Sequence, residues 1–185
     1  MFNRDILLID IEATGLDSNK HEIIQLAGIL LDKKTLKEKV TYSSYIKPVK
    51  WKNRDPEAMA VNKLTLSDLK GAPSAKQVAK EFDEIFPKNV ILAYYGGVLD
   101  IDFIRALYKE IGRKQPFDYH FFNLWGLFYP YLAKTGGLTN KKRFAGFTIE
   151  DLIKKFKIKP EKRHDALGDC RVEAEILRQI MKRLR

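Results

Sequence analysis

The stretch DILLIDIEATGL, residues 5–16, constrains the fold more than any other part of the chain. Four consecutive apolar residues, Ile6 to Ile9, match a strand buried on both faces, yet carboxylates follow at Asp10 and Glu12. Side chains along a strand alternate faces, so these two acids point the same way and form a pair by geometry. Like charges at a buried strand end repel and lose hydration. They persist there only if protonated, matched by cations or bound to a metal. A strand that ends at a polar turn, with both acids solvated, is the other reading this segment leaves open. Ala13, Thr14, Gly15 and Leu16 follow, and the small residue, hydroxyl and glycine let a ligand approach the backbone closely.

The rest of the chain supplies partners for that strand. EIIQLAGILLD reads as a second strand and KVTYSSYIKP as a third with one exposed face, the three being successive and antiparallel. A polar, irregular stretch runs from Pro48 to Ala72. SAKQVAKEFDEIF then opens with Ser74 and Gln77 in capping-box spacing and repeats Val78, Phe82 and Ile85 at helical intervals. NVILAYY reads as a short buried strand, LDIDFIRALYKEIG as a helix ended by Gly112, and FFNLWGLFYPYL as a helix or strand–helix unit. After a basic loop at 133–147, one helix is expected from about Thr148, capped by Thr148 and Asp151, and another from about Ala166 to Leu184. The succession predicts an α/β layer fold with a mixed sheet between helices. A length of 185 residues, 45% of them hydrophobic, suffices for one compact domain over residues 1–185.

Composition narrows the class. No apolar run approaches the ~20 residues of a membrane span, and MFNRDILLID has too short an apolar core for a secretory leader, so a cytoplasmic protein is expected. The single cysteine, Cys170, excludes a disulfide framework and a thiolate metal site, which leaves it as a small core residue. Lys and Arg outnumber Asp and Glu by 34 to 24, a formal charge of +10, which favours a polyanionic partner such as nucleic acid. KKFKIKPEKR puts six cationic residues at 154–163, and NKKR adds three at 141–143. Either run is compatible with a solvated face or a phosphate track. Trp51 among Lys47, Lys50, Lys52 and Arg54 is compatible with a stacking platform or with partial core.

Two further acids join the pair. Phe103, Ile104, Leu107 and Ile111 follow Asp100 at helical spacing, which puts Asp100 on the buried stripe as an N-cap or as a ligand, while Asp102 falls off it. Asp169 lies seven residues before Ile176 and eleven before Ile180, on their row near a helix start that Asp165 would cap. His164 sits at the mouth of that helix, beside the basic run. Four inward-facing acids at element tips suggest hard divalent cations, because Mg²⁺ and Mn²⁺ prefer carboxylate oxygen and keep positions for phosphate and water.

DIEATGL, VLDIDFI and HDALGDC resemble the three motifs of the DEDDh (DnaQ-like) 3′–5′ exonucleases, the family of the polymerase proofreading subunit and several RNA-trimming enzymes. EIIQLAGILLD, AMAVNKLT and FTIEDLIKKFKI are also similar to family segments, so the resemblance covers nearly the whole chain. It implies a ribonuclease H-like three-layer fold with a central mixed five-stranded sheet flanked by helices. By that resemblance Asp10, Glu12, Asp100 and Asp169 bind two Mg²⁺ (or Mn²⁺), and His164 is the general base. Ala13, Thr14, Gly15 and Leu16 line the pocket of the terminal nucleotide, with Leu16 against a base. The implied reaction is two-metal hydrolysis of single-stranded DNA or RNA from a free 3′ end to nucleoside 5′-monophosphates. Histidine suits the base because its ordinary pKa is about 6.5.

Two places, three residues in all, depart from the family pattern. Tyr95 and Gly96 stand where many members carry His-Asn, and Asn123 in FFNLW stands where an Asp is often found. A non-catalytic nucleic-acid-binding or protein-interaction module on the same fold is the alternative.

Overall fold

The computed structural model describes residues 2–97, 99–139 and 146–184. Strands β1 (Ile6–Ala13), β2 (Ile23–Leu31) and β3 (Glu38–Tyr45) form an antiparallel meander. Helices α1 (Pro56–Asn62) and α2 (Ala75–Ile85) follow, then β4 (Ile91–Tyr94) and α3 (Leu99–Glu110). The described chain ends with β5 (Phe122–Asn123), α4 (Trp125–Lys134), α5 (Ile149–Phe156) and α6 (Ala166–Arg183). The sheet order is β3-β2-β1-β4-β5, with β4 parallel to β1 and β5 parallel to β4. This is the mixed five-stranded sheet that the sequence predicts.

Alternation along β1 sorts the core into two layers. Ile6 and Leu8 pack with Phe128, Ile176, Leu177 and Ile180 on the α4–α5–α6 side. Leu7, Ile9 and Ile11 pack with Val78, Phe82, Ile104 and Leu107 on the α2–α3 side. β2 is buried along all of its length because helices cover both of its faces. Gly28 in β2 makes room for α2: a Cβ there would stand 3.0 Å from the rings of Phe82 and Phe86.

The expected caps form. The Ser74–Gln77 capping box opens α2, and Asp151 Oδ2 accepts from the Thr148 backbone N–H (2.8 Å) and hydroxyl (3.0 Å) at the start of α5. Gly112 closes α3 at φ 72°, a left-handed conformation that glycine adopts without strain. Cys170 is fully buried.

Two expectations are corrected. The stretch from Pro48 to Ala72 is not wholly irregular, since it holds a 3-10 turn at Trp51–Asn53 and α1. Asp55 caps α1 by accepting from Glu57 N at 3.0 Å, and Pro56 takes the first helical position, where a missing N–H costs nothing. β3 is exposed on both faces over Glu38–Thr41, because it is an edge strand that α2 reaches only near Tyr42, whose ring meets Phe82 at 5.8 Å. The NKKR run lies outside the described residues. Among the described residues no helix is long and apolar enough to cross a membrane.

Candidate active site

Asp10 and Glu12 continue the row of Ile6 and Leu8, so both acids face the α6 side just where the apolar core gives out. Asp169 arrives there from the first turn of α6. Carboxylate oxygens of Asp10, Glu12 and Asp169 all lie within 4.8 Å of one another. The placement depends on Gln25, which is opposite Glu12 in the β1–β2 register and only 4% exposed. Gln25 Nε2 donates to Asp165 Oδ1 (3.1 Å) and its Oε1 accepts from Ala166 N (3.3 Å), pinning the start of α6 to β2. Asp165 in turn caps the helix by accepting from Gly168 N at 3.3 Å. Asp100 occupies the first turn of α3, buried, beyond the end of β4; it is not one of the close triad, though its charge acts on Asp10 and Glu12. Asp102 is solvated, as expected, and pairs with Arg105 at 3.4 Å.

The electrostatics are those of an anion-rich pocket with too few cations. Burial first, then the charges of Glu173, Asp100 and Glu12, push the Asp10 carboxyl well above the usual range. Glu12 is pushed up to about 7 by burial, Asp165 and Asp100. Asp100 is raised by burial. The guanidinium of Arg163 offsets part of this: it donates to Asp169 Oδ1 and, at 2.9 Å, to Glu150 Oε1. Glu173 Oε2 is buried with no hydrogen-bond partner among the described residues. Clustered hard oxygen donors and an orphaned buried carboxylate oxygen are the donor set that suits Mg²⁺ or Mn²⁺.

His164 lies on the strap leading into α6 with φ 56°, left-handed. Its backbone N–H donates to Asp169 Oδ2 at 3.1 Å while the residue itself is exposed, so the strap is tied to the acid cluster and the ring is free. Gly168 permits this approach, since a Cβ there would stand 2.2 Å from the Lys162 carbonyl oxygen. In the loop after β1, Thr14 and Gly15 are buried and Leu16 is 69% exposed. The Thr14 hydroxyl accepts from Glu22 N (3.0 Å), and Ala13 O accepts from Asn62 Nδ2 (3.1 Å), so both residues set the loop's shape and leave Leu16 as its exposed apolar tip.

The departures from the family pattern are structural in part. Tyr95 packs its ring on Phe128 at 5.6 Å. Asn123 Nδ2 donates to Gly96 O at 2.6 Å, a bond a carboxylate could not make, and Asn123 Oδ1 accepts from Trp125 N at 3.0 Å. In the basic run, Lys154, Lys155, Lys157, Lys159 and Lys162 are exposed, whereas Arg163 turns inward. Trp51 is half-buried beneath the Arg54 guanidinium, 5.3 Å from its ring centre.

Gln25, Arg163 and Glu173 belong to the cluster although the motif spacing does not single them out. For Glu173 a signal exists: it is four residues after Asp169 and three before Ile176, on the same buried stripe.

The RNase_T family model, described as exonuclease, matches residues 7–177. The chain belongs to this exonuclease family. It is a DEDDh, DnaQ-like exonuclease. It is 27% identical over 184 residues to the DNA polymerase III subunit epsilon of Aquifex aeolicus, covering 96% of this chain and 81% of that protein. The nuclease domain of 3′hExo, a DEDDh family member bound to rAMP, superposes with a TM-score of 0.76 at 21% identity, covering 97% of this chain and 92% of that one. E. coli Exonuclease I in complex with a dT13 oligonucleotide superposes with a TM-score of 0.79 at 18% identity, covering 98% of this chain and 42% of that one. These likenesses establish the ribonuclease H-like fold. Of PolC-type DNA polymerase III from Thermotoga petrophila the chain spans 12% of the length.

Proposed function

We propose that residues 1–185 act as a single exonuclease domain that removes nucleoside 5′-monophosphates from the 3′ end of single-stranded DNA or RNA. The convergence of Asp10, Glu12 and Asp169 at the end of β1, with the His164 strap tied to Asp169, carries this reading. Asp10, Glu12, Asp100 and Asp169 would hold two Mg²⁺ or Mn²⁺. Such ions, when bound, lower the pKa of water and neutralise charge on the attacking and leaving oxygens. His164 would take the proton of the attacking water, its free ring being able to swing while its backbone stays anchored. The water oxygen bonds to phosphorus as the bond to the 3′ oxygen of the preceding nucleotide breaks, leaving a new 3′-hydroxyl. Ala13, Thr14, Gly15 and Leu16 would receive the terminal nucleotide, Thr14 and Gly15 through backbone shape and Leu16 by apolar contact with the base. The exposed lysines at 154–162 would track phosphates.

The test is digestion of end-labelled single-stranded DNA and RNA in parallel with Mn²⁺. A 5′-blocked strand should be degraded and a 3′-phosphorylated one poorly, and Asp10→Ala should abolish hydrolysis with the fold intact. Equal digestion of the 5′-blocked and the 3′-phosphorylated strand would indicate an endonuclease. Binding without hydrolysis in the wild type would leave the chain a nucleic-acid-binding module.

A further inference from the structure

Glu173 has no place in the motif set, and its surroundings make its presence costly. It is 3% exposed on a helix face that, Asp169 apart, is built from apolar residues such as Ala166, Cys170, Ile176, Leu177 and Ile180. Its Oε2 has no hydrogen-bond partner among the described residues. A buried carboxylate left without a partner is strongly unfavourable, and an apolar residue of similar volume would fill this position without that cost. The charges that act on it are mostly of the wrong sign: Asp10 and Glu173 disfavour each other's ionisation, Asp100 adds to this, and Arg163, already committed to Asp169 and Glu150, is the cation that offsets them. After burial, Glu173 is the strongest influence on Asp10, ahead of Asp100 and Glu12.

Glu173 therefore leaves an unsatisfied carboxyl oxygen buried near enough to the acid pocket to act on Asp10, one helical turn, about 6 Å, further along α6 than Asp169. A retained proton or a bound cation resolves that arrangement, and the second is the one a pocket of this composition recruits. We propose that Glu173 is a fifth carboxylate of the cation centre, acting on the bound ion from behind Asp10 and Asp100. The inference rests on the reading of this cluster as a divalent-cation centre. It gives a role to a residue outside the four acids of the motifs, and it explains why α6 keeps a glutamate where its neighbours are apolar. Groups supporting a metal centre from beyond its principal ligands govern affinity, so the ion, not the fold, should register the loss of Glu173.

The test is Mn²⁺ binding to the full chain without nucleic acid, followed by calorimetry and by the paramagnetic resonance of free Mn²⁺, with melting of the metal-free protein alongside. Glu173→Gln keeps size and removes charge; Glu173→Met removes the polar group as well and keeps the helix face filled should the amide prevent folding. Either folded variant should bind Mn²⁺ about 10- to 100-fold more weakly than wild type, with the metal-free protein melting no lower in Glu173→Met. Unchanged Mn²⁺ affinity in a folded Glu173 variant, with Asp10→Ala deficient, would overturn this assignment and leave the cation centre standing. A wild-type protein that binds no Mn²⁺ would overturn both.

Discussion

At the scale of single residues, the proposed metal ligands and the proposed base stand on different supports. Asp10, Glu12 and Asp169 sit on rigid elements, whereas His164 is on a strap whose backbone is fastened to Asp169 and whose ring is free. The left-handed backbone at His164 costs about 1 kcal/mol or more relative to ordinary conformations, so it persists because neighbouring contacts enforce it. One of these contacts is the close packing of the Lys162 carbonyl on Gly168. His164→Ala is expected to keep Mn²⁺ and single-strand binding near wild type while losing roughly two to four orders of magnitude in rate. Single-turnover kinetics at saturating substrate would measure it, and normal turnover would reduce His164 to a structural loop residue. The sequence carries the identity of these residues because each is confined to a type by chemistry. It does not carry the Arg163–Asp169 pair, which arises only when the strap folds back over α6.

At the scale of elements, α5 and the strap that follows form a cationic edge beside the acids. Lys154 and Lys155 close the last turn of α5, where positive charge also complements the helix dipole. Both are exposed, and neither reaches the acid cluster. Replacing both with Gln should weaken single-strand binding and reduce the slope of log affinity against log salt by roughly 0.7 per lost phosphate contact. The rate at saturating substrate should stay close to wild type. An unchanged slope in a salt titration would make this edge a solvated face. The helices were legible as periodic apolar stripes with caps, and so were β1, β2 and β4. α1 was not, since its seven residues are too short for a period to emerge and Val61 is exposed. β5, of two residues, exists only by pairing with Ala93 and Tyr94.

At the scale of the whole molecule, the cation centre couples to stability. Glu12 ionises at about 7 in the folded chain against an ordinary 4.5, because burial and the charges of Asp165 and Asp100 outweigh Arg163 and Lys162. Between those two values the unfolded chain has already released this proton while the native chain still holds it. Metal-free stability must therefore fall as pH rises across that window, and the contribution is fully present only below about 4.5. The melting temperature of metal-free protein should decline from pH 5 to 7 more steeply in wild type than in Glu12→Gln. Added Mn²⁺ should reverse the trend, since an ion that binds only the native state raises melting, and does so best once the carboxylates are ionised. Superimposable pH profiles for the two proteins would refute the assignment of Glu12.

The sequence by itself determined what depends on local periodicity and residue chemistry. The alternation in β1 put Asp10 and Glu12 on one face, and the helical stripes of α3 and α6 put Asp100 and Asp169 inward. Tertiary structure decided what depends on distance between remote segments. The parallel pairing of β1 with β4 brought α3 beside the acid pair, and Gln25, across the sheet, set where α6 begins. It also turned Glu173 from one more position on a helix face into a buried carboxyl whose Oε2 has no hydrogen-bond partner among the described residues. Spacing along a chain reports which way a side chain points, but charge balance is a property of the assembled pocket. That is why the four motif acids could be read from the sequence, whereas the helical stripe offered Glu173 only as an inward position and its missing partner came from the fold.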